Sequence, residues 1–99
     1  MEWQNSEMKF GVSFLEEVMK NAGRFPGKYR VRRGAIKARG KKYYLVRVLD
    51  GENVAEVLFA ENDDGEIEVA RVKKESWDVE EALYMAMSGE AERVEILTN

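Results

Sequence analysis

Ten lysine and arginine residues lie between Arg24 and Arg47, a stretch that contains no aspartate or glutamate. Its formal charge is +10, whereas residues 1–23 sum to −2, residues 48–99 sum to −11 and the whole chain sums to −3. Positive side chains neutralise phosphate groups, and aromatic rings such as those interleaved here stack on unpaired bases. The stretch therefore predicts a small, non-enzymatic nucleic-acid-binding domain, for either DNA or RNA.

The residues expected to contact nucleic acid lie on a β-hairpin predicted over residues 28–47. Two kinds of side chain are expected to act there, cations that contact phosphates and tyrosines that stack on bases. The phosphate contacts are Arg30, Arg32, Arg33, Lys37, Arg39, Lys41 and Lys42, and the stacking residues are Tyr29 and Tyr43. The hairpin would present them as a ribbon of positive charge, although their spacing matches no known DNA- or RNA-binding motif.

Two other interpretations of the same charges stay open. The two strands predicted after the hairpin are rich in carboxylates, which could pair with the basic strands inside one chain. Arg47 opposite Glu56 is the predicted example of such a pair. Alternatively, the positive end of one copy could meet the negative end of another. The alternative function is a homo-oligomeric protein-interaction or assembly module, whose basic stretch is satisfied by its own acidic strands.

Residues for metal, redox and nucleophilic chemistry are scarce. The chain has no cysteine and no histidine, which excludes disulfides, thiolate zinc sites, cysteine nucleophiles and imidazole ligands. The acidic segment 61–66 lacks the spacing of a calcium-binding loop, so a solvated turn is predicted there. We therefore predict no enzymatic activity, no cofactor, no metal and no small-molecule substrate.

Composition also bears on where the protein works. Glutamine and threonine occur once each while charged residues make up 35% of the chain, a usage typical of proteins that work at high temperature. The apolar runs are far shorter than the roughly 20 residues that a membrane-spanning helix needs. The first residues do not resemble a signal peptide, and a cytoplasmic protein without a membrane partner is expected.

The first predicted element is an amphipathic helix. Apolar residues recur at three- and four-residue spacing over Met8–Ala22, which predicts about four turns of helix. Asn5 or Ser6 would cap its start, and Gly23 would end it in the left-handed conformation. Pro26-Gly27 then predicts a type II turn.

Four strand-like runs follow, separated by glycines. The runs are Lys28–Ala38 with a bulge near Arg33-Gly34, Lys42–Leu49, Val54–Glu61 and Glu66–Lys73, joined by turns at Arg39-Gly40, Gly51-Glu52 and Asp63-Asp64-Gly65. A type II′ turn at Gly51-Glu52 gives the best cross-strand pairs for the second and third runs. These pairs are Tyr44–Phe59, Val46–Val57 and Val48–Ala55 on one face, and Leu45–Leu58, Arg47–Glu56 and Leu49–Val54 on the other.

This register places large apolar side chains on both faces of the hairpin. A sheet with one face in water would alternate between apolar and polar residues. The second face must therefore be covered by another helix or another subunit. The interface candidates are Leu45, Leu49, Val54 and Leu58, and they favour a homodimer.

A second helix and a last strand complete the prediction. Asp78 would cap the helix with Glu81 in a capping box, Gly89 would end it, and Glu90–Leu97 would form a short strand. The order α-β-β-β-β-α-β predicts a single α+β domain over residues 1–99, in which two helices pack on an antiparallel meander sheet.

Overall fold

The computed structural model describes residues 3–5, 9–10 and 12–99, with side chains from Phe14 onward. Within these residues the chain forms two helices and one sheet of seven strands. In chain order they are β1 (Trp3–Asn5), β2 (Lys9–Phe10), α1 (Val12–Arg24), β3 (Tyr29–Arg33), β4 (Tyr43–Asp50), β5 (Asn53–Glu61), β6 (Ile67–Lys73), α2 (Val79–Ser88) and β7 (Arg93–Thr98). From α1 onward the predicted order α-β-β-β-β-α-β and the α+β class are confirmed, and the two short strands β1 and β2 precede them.

The prediction of an antiparallel meander is wrong, because β7 lies between β3 and β4. The strand order is β1-β6-β5-β4-β7-β3, with β2 also paired to β6. β7 runs parallel to β3 and antiparallel to β4, so the sheet is mixed. Val94 and Ile96 of β7 are both fully buried, and a central position gives this apolar strand hydrogen-bonding partners on both edges.

The predicted hairpin over residues 28–47 is therefore not formed. Its two strands exist, but β7 separates them and the connection passes across the end of β7. The first strand is also shorter than predicted, since it ends at Arg33. Gly34 has φ of 75°, and it ends the strand where a bulge was predicted.

The β4–β5 hairpin, in contrast, has the predicted register at every pair. Tyr44 lies opposite Phe59, Arg47 opposite Glu56, and Leu49 opposite Val54. Gly51 has φ of 61° and no residue other than glycine has a positive φ in the described part of the chain. That combination fits a type II′ turn, in which only the first central residue is left-handed.

The first helix begins later and ends later than predicted. Asn5 lies in β1 and cannot cap it, while Ser6 and Met8 lie outside the described residues. At the other end, the helix continues through Gly23 to Arg24, and Gly23 has no positive φ. A turn does follow the helix, since the N–H of Lys28 donates to the carbonyl of Phe25 at 2.9 Å. The predicted type II geometry is wrong, because that turn needs a positive φ at Gly27 and Gly27 has none.

Both helices pack on the same face of the sheet, which we call the helix face. Its core joins Phe14, Leu15 and Val18 of α1 and Ala82, Leu83 and Ala86 of α2 to Tyr29, Val46, Val48, Ala55, Val57, Phe59, Ile67, Val69, Val94 and Ile96. Side chains alternate across a strand, so the residues between these strand positions lie on the opposite face. Neither α1 nor α2 therefore packs on that second face.

The second helix has the predicted caps. The carboxylate of Asp78 accepts from the N–H of Glu81 at 3.2 Å, and Gly89 has φ of 84° while its N–H donates to the carbonyl of Met85. Trp77 precedes the helix, donates its N–H to the carbonyl of Val54 at 2.9 Å and packs against the core. The start of α2 is thereby attached to β5.

Gly89→Ala is expected to lower the free energy of unfolding by about 1–2 kcal/mol, because a left-handed residue with a Cβ is strained. The added Cβ would also lie 2.8 Å from Cε2 of Phe25. Gly27→Ala is the matched control, since Gly27 has no positive φ and open space around its Cα. Chemical denaturation of both variants tests this, and an equal effect of the two substitutions would contradict it.

Candidate nucleic-acid interface

The basic residues of β3 alternate with core residues. Tyr29 is 4% exposed, and Val31 packs against the core, so the strand is held to the helix face through these two. Arg30 and Arg32 point away from that face, and both are exposed. Because β3 is the last strand on its side of the sheet, its arginines line an edge that solvent reaches.

The loop after β3 carries further exposed cations. Arg33 ends the strand, and Lys37, Arg39 and Lys41 follow within residues 34–42. We call the six residues on the strand and loop the cationic corner. Its members are Arg30, Arg32, Arg33, Lys37, Arg39 and Lys41, and all are exposed.

No side chain of the cationic corner forms an ion pair with a carboxylate in the described part of the chain. The remaining four basic residues of the stretch do have partners. Arg24 pairs with Glu17 at 3.1 Å and Arg47 with Glu56 at 3.1 Å, while Lys28 and Lys42 donate to the backbone carbonyls of Gly89 and Asn99. The interpretation of internal pairing therefore holds for Arg47, as predicted, and does not extend to the corner.

Hydrogen bonds from the end of β7 hold the basic loop in place. The carbonyl of Thr98 accepts from the N–H of Ala35 at 2.9 Å. The side-chain amide of Asn99 donates to the carbonyl of Lys41 at 2.7 Å, and its oxygen accepts from the N–H of Tyr43 at 2.9 Å. The loop is thus anchored at both ends, and its cations project from an attached backbone.

The two tyrosines predicted to stack have different surroundings. The ring of Tyr29 is buried, and its hydroxyl donates to the carbonyl of Ala86. Burial raises the pKa of this phenol, while hydrogen bonds from Asn21 and the backbone of Gly89 oppose the rise. The ring of Tyr29 is therefore not accessible for stacking on a nucleobase. Tyr43 is half-buried at the start of β4 beside the basic loop, and it is the remaining candidate for a stacking residue.

Tyr44 lies next to the corner, and charges of both signs affect the pKa of its phenol. Burial is the main cause that raises the pKa of its phenol, Glu61 raises that pKa further, and Arg33 lowers it. Lys42 places its ammonium 5.9 Å from the ring centroid of Tyr44, a cation–π distance. The phenol therefore stays protonated at neutral pH.

An acidic turn lies at the same end of the sheet. The N–H of Glu61 donates to the carbonyl of Lys42 at 2.9 Å, so the turn after β5 adjoins the end of the basic loop. The side-chain oxygen of Asn62 accepts from the N–H groups of Asp64 and Glu66, both at 2.9 Å, and Gly65 has φ of 80°, which forms the predicted turn. The positively charged surface of the basic loop thus ends where this acidic turn begins.

The predicted interface residues share the face opposite the helices. Leu45, Leu49, Val54 and Leu58 are all half-buried there. Sequence reasoning missed Leu97, which lies opposite Leu45 in the β7–β4 register and belongs to the same face. The alternation of Val94 and Ile96 with Leu97 was the signal that could have identified it.

Within the described residues no cluster of three or more carboxylates could hold a metal ion. Neither α1 nor α2 has the length and apolarity that crossing a membrane requires. Comparison with protein-family models, with curated proteins and with solved structures gave no match for this chain.

Proposed function

We propose that this protein is a non-enzymatic nucleic-acid-binding domain and that the cationic corner is its binding surface. The observation that carries the proposal is the set of exposed cations on β3 and its loop that lack carboxylate partners among the residues the structure describes, in a chain whose net charge is −3. Cations that lie close together on a protein surface in water do little to stabilise the fold, because like charges repel each other. Phosphate groups would relieve their mutual repulsion and release bound counterions.

The neighbouring charges restrict the path of a bound strand. The acidic turn of residues 61–66 adjoins the basic loop on the β5–β6 side, where it repels phosphates. A nucleic acid strand would therefore run along the edge of β3 and around the loop, and would leave the surface before the turn. Tyr43 lies between these two regions, so a base at that end of the path could stack on its ring.

The proposal is tested by a salt titration with fluorescein-labelled oligonucleotides, one single-stranded and one duplex, read by fluorescence anisotropy. Each phosphate contact contributes a slope of about −0.7 for single strands and about −0.9 for duplexes in log K against log salt. Engagement of the whole corner on a single strand would thus give a slope of about −4. Absence of binding at low ionic strength, or a slope near zero, would overturn the proposal.

Arg39→Glu is expected to reduce the steepness of that slope by about one and to weaken binding about tenfold at low salt, because one phosphate contact becomes a repulsion. Lys20→Glu is the control with the same change in net charge, on the exposed side of α1 and away from the corner. An equal loss of binding in both variants would show that net charge alone is responsible, and would argue against a site at the corner.

A further inference from the structure

The face of the sheet opposite the helices combines apolar side chains, a row of paired charges and the exposed arginines Arg30, Arg32, Arg71 and Arg93. Leu45 and Leu49 of β4 and Val54 and Leu58 of β5 lie on it as cross-strand pairs. None of these four belongs to the helix-face core. We call this surface the open face, and its apolar centre is the β4–β5 hairpin.

The row of charges crosses the open face perpendicular to the strands and alternates in sign. Arg47 of β4 lies between Glu95 of β7 at 3.4 Å and Glu56 of β5 at 3.1 Å, and Lys73 of β6 reaches Glu56 at 3.3 Å. In strand order the row reads Glu95, Arg47, Glu56 and Lys73, that is, negative, positive, negative, positive. If a second copy is rotated by half a turn about the midpoint of this row, each charge of one copy lies over a charge of the opposite sign in the other.

We propose that a second copy of this chain docks on the open face. The two copies are related by a twofold axis that is parallel to the strands, lies midway between the two stacked sheets and passes over the gap between β4 and β5. This axis places Leu45 of one copy over Leu58 of the other. It likewise places Leu49 over Val54, and Glu95 over Lys73. Two sheets stacked in this way are separated by about 10 Å, a spacing that apolar side chains from both faces fill.

The charges select this occupant and this register. A twofold interface must be complementary to itself, and the alternating row satisfies that condition at all four positions only about its centre, where the apolar pairs also match. Sliding one copy by one strand would oppose like charges along the row. Pairing through the edge of β3 is disfavoured, because Arg30 and Arg32 would meet the same residues of the other copy.

Apolar contact supplies affinity in such an interface, while charges mainly fix its register. Leu45→Lys is therefore expected to raise the dimer dissociation constant about 30-fold or more, as measured by sedimentation equilibrium over a range of protein concentrations. Tyr84→Lys is the matched control, since Tyr84 is 58% exposed on α2 and far from the open face. Thermal unfolding of each variant verifies that the monomer is folded.

Two charge reversals test the axis without altering the apolar contact. Glu95→Lys alone places lysine over Lys73, and Lys73→Glu alone places glutamate over Glu95, so each variant should dimerise about tenfold more weakly. An equimolar mixture restores opposite charges at both positions and should recover association to within about threefold of the wild type. A change in monomer structure cannot produce this recovery on mixing.

The proposal is overturned if the wild-type chain stays at the monomer mass of 11.4 kDa at all concentrations. It is also overturned if Leu45→Lys dimerises like the wild type, or if the mixed charge variants associate no better than each variant alone. None of these readouts involves nucleic acid. The outcome is therefore independent of the function proposed for the cationic corner.

Discussion

Phe59→Ala is expected to lower the free energy of unfolding by about 3–5 kcal/mol, because the substitution removes a buried aromatic ring and leaves a cavity. Phe59 is 0% exposed on β5, near the middle of the sheet. Its ring centroid lies 5.4 Å from that of Phe14 on α1, a distance at which aromatic pairs add to the burial term. The ring thus fixes the first helix to the centre of the sheet.

Guanidinium denaturation followed by circular dichroism measures this effect through the transition midpoint. Tyr84→Ala removes an aromatic ring that is 58% exposed on α2, and should change the free energy of unfolding by less than about 0.5 kcal/mol. Phe59→Leu should lie between the two, since it retains most of the apolar volume. A loss below about 1 kcal/mol for Phe59→Ala would contradict the central role given to this residue.

Local patterns in the sequence predicted the hairpin that carries Phe59. The turn at Gly51-Glu52 restricts the register, and only one register pairs Arg47 with Glu56 while matching apolar residues on both faces. Cross-strand pairing of neighbouring strands is a local property, as are the caps Asp78 and Gly89 of α2. These features are therefore predictable from the sequence alone.

The position of β7 could not be predicted in the same way. Its partners β3 and β4 are distant in the sequence, and alternation along β7 shows which side chains are buried without naming the neighbouring strands. An apolar strand can lie at an edge or between two others with the same pattern. Consecutive strands often pair, which predicts β3 beside β4. In the structure β7 lies between them, and this central position buries Val94 and Ile96.

The same long-range placement determines the candidate site. The sequence identified every member of the cationic corner, but their freedom from carboxylates depends on which strands adjoin β3. Arg47 lies between Glu56 and Glu95 and pairs with both, whereas Arg30 lies opposite Glu95 in the β3–β7 register without forming an ion pair with it. Arg30 and Arg32 lie at an edge instead, so the basic stretch divides into one structural residue near the sheet centre and an exposed group.

The largest polar effect on stability is expected at Asn21, which sequence reasoning did not single out. It lies in α1 and is 2% exposed. Its amide nitrogen donates to the carbonyls of Ala86 at 3.1 Å and Met87 at 2.7 Å. Both carbonyls lie in the last turn of α2, where no following helical N–H can reach them. A side chain from α1 thus caps the end of α2.

Asn21→Leu is expected to lower the free energy of unfolding by about 2–4 kcal/mol, because it leaves buried carbonyl groups without a donor. Asn21→Asp should destabilise the protein more at neutral pH, since it has the same size but directs a carboxylate at two carbonyl oxygens. Tyr29→Phe removes the second donor to Ala86 and a long hydrogen bond that the Tyr29 hydroxyl accepts from Asn21 at 3.5 Å, and should lower the free energy by about 1 kcal/mol.

Amide hydrogen exchange distinguishes a lost cap from a general loss of stability. If Asn21 caps α2, the Asn21→Leu variant should lose protection first in the last turn of α2, in excess of the change in global stability. Uniform loss over both helices would instead indicate that Asn21 only fills space between them. The order Asn21→Asp, Asn21→Leu, Tyr29→Phe in destabilisation follows from the number and charge of the groups left unsatisfied, and a different order would contradict the capping role.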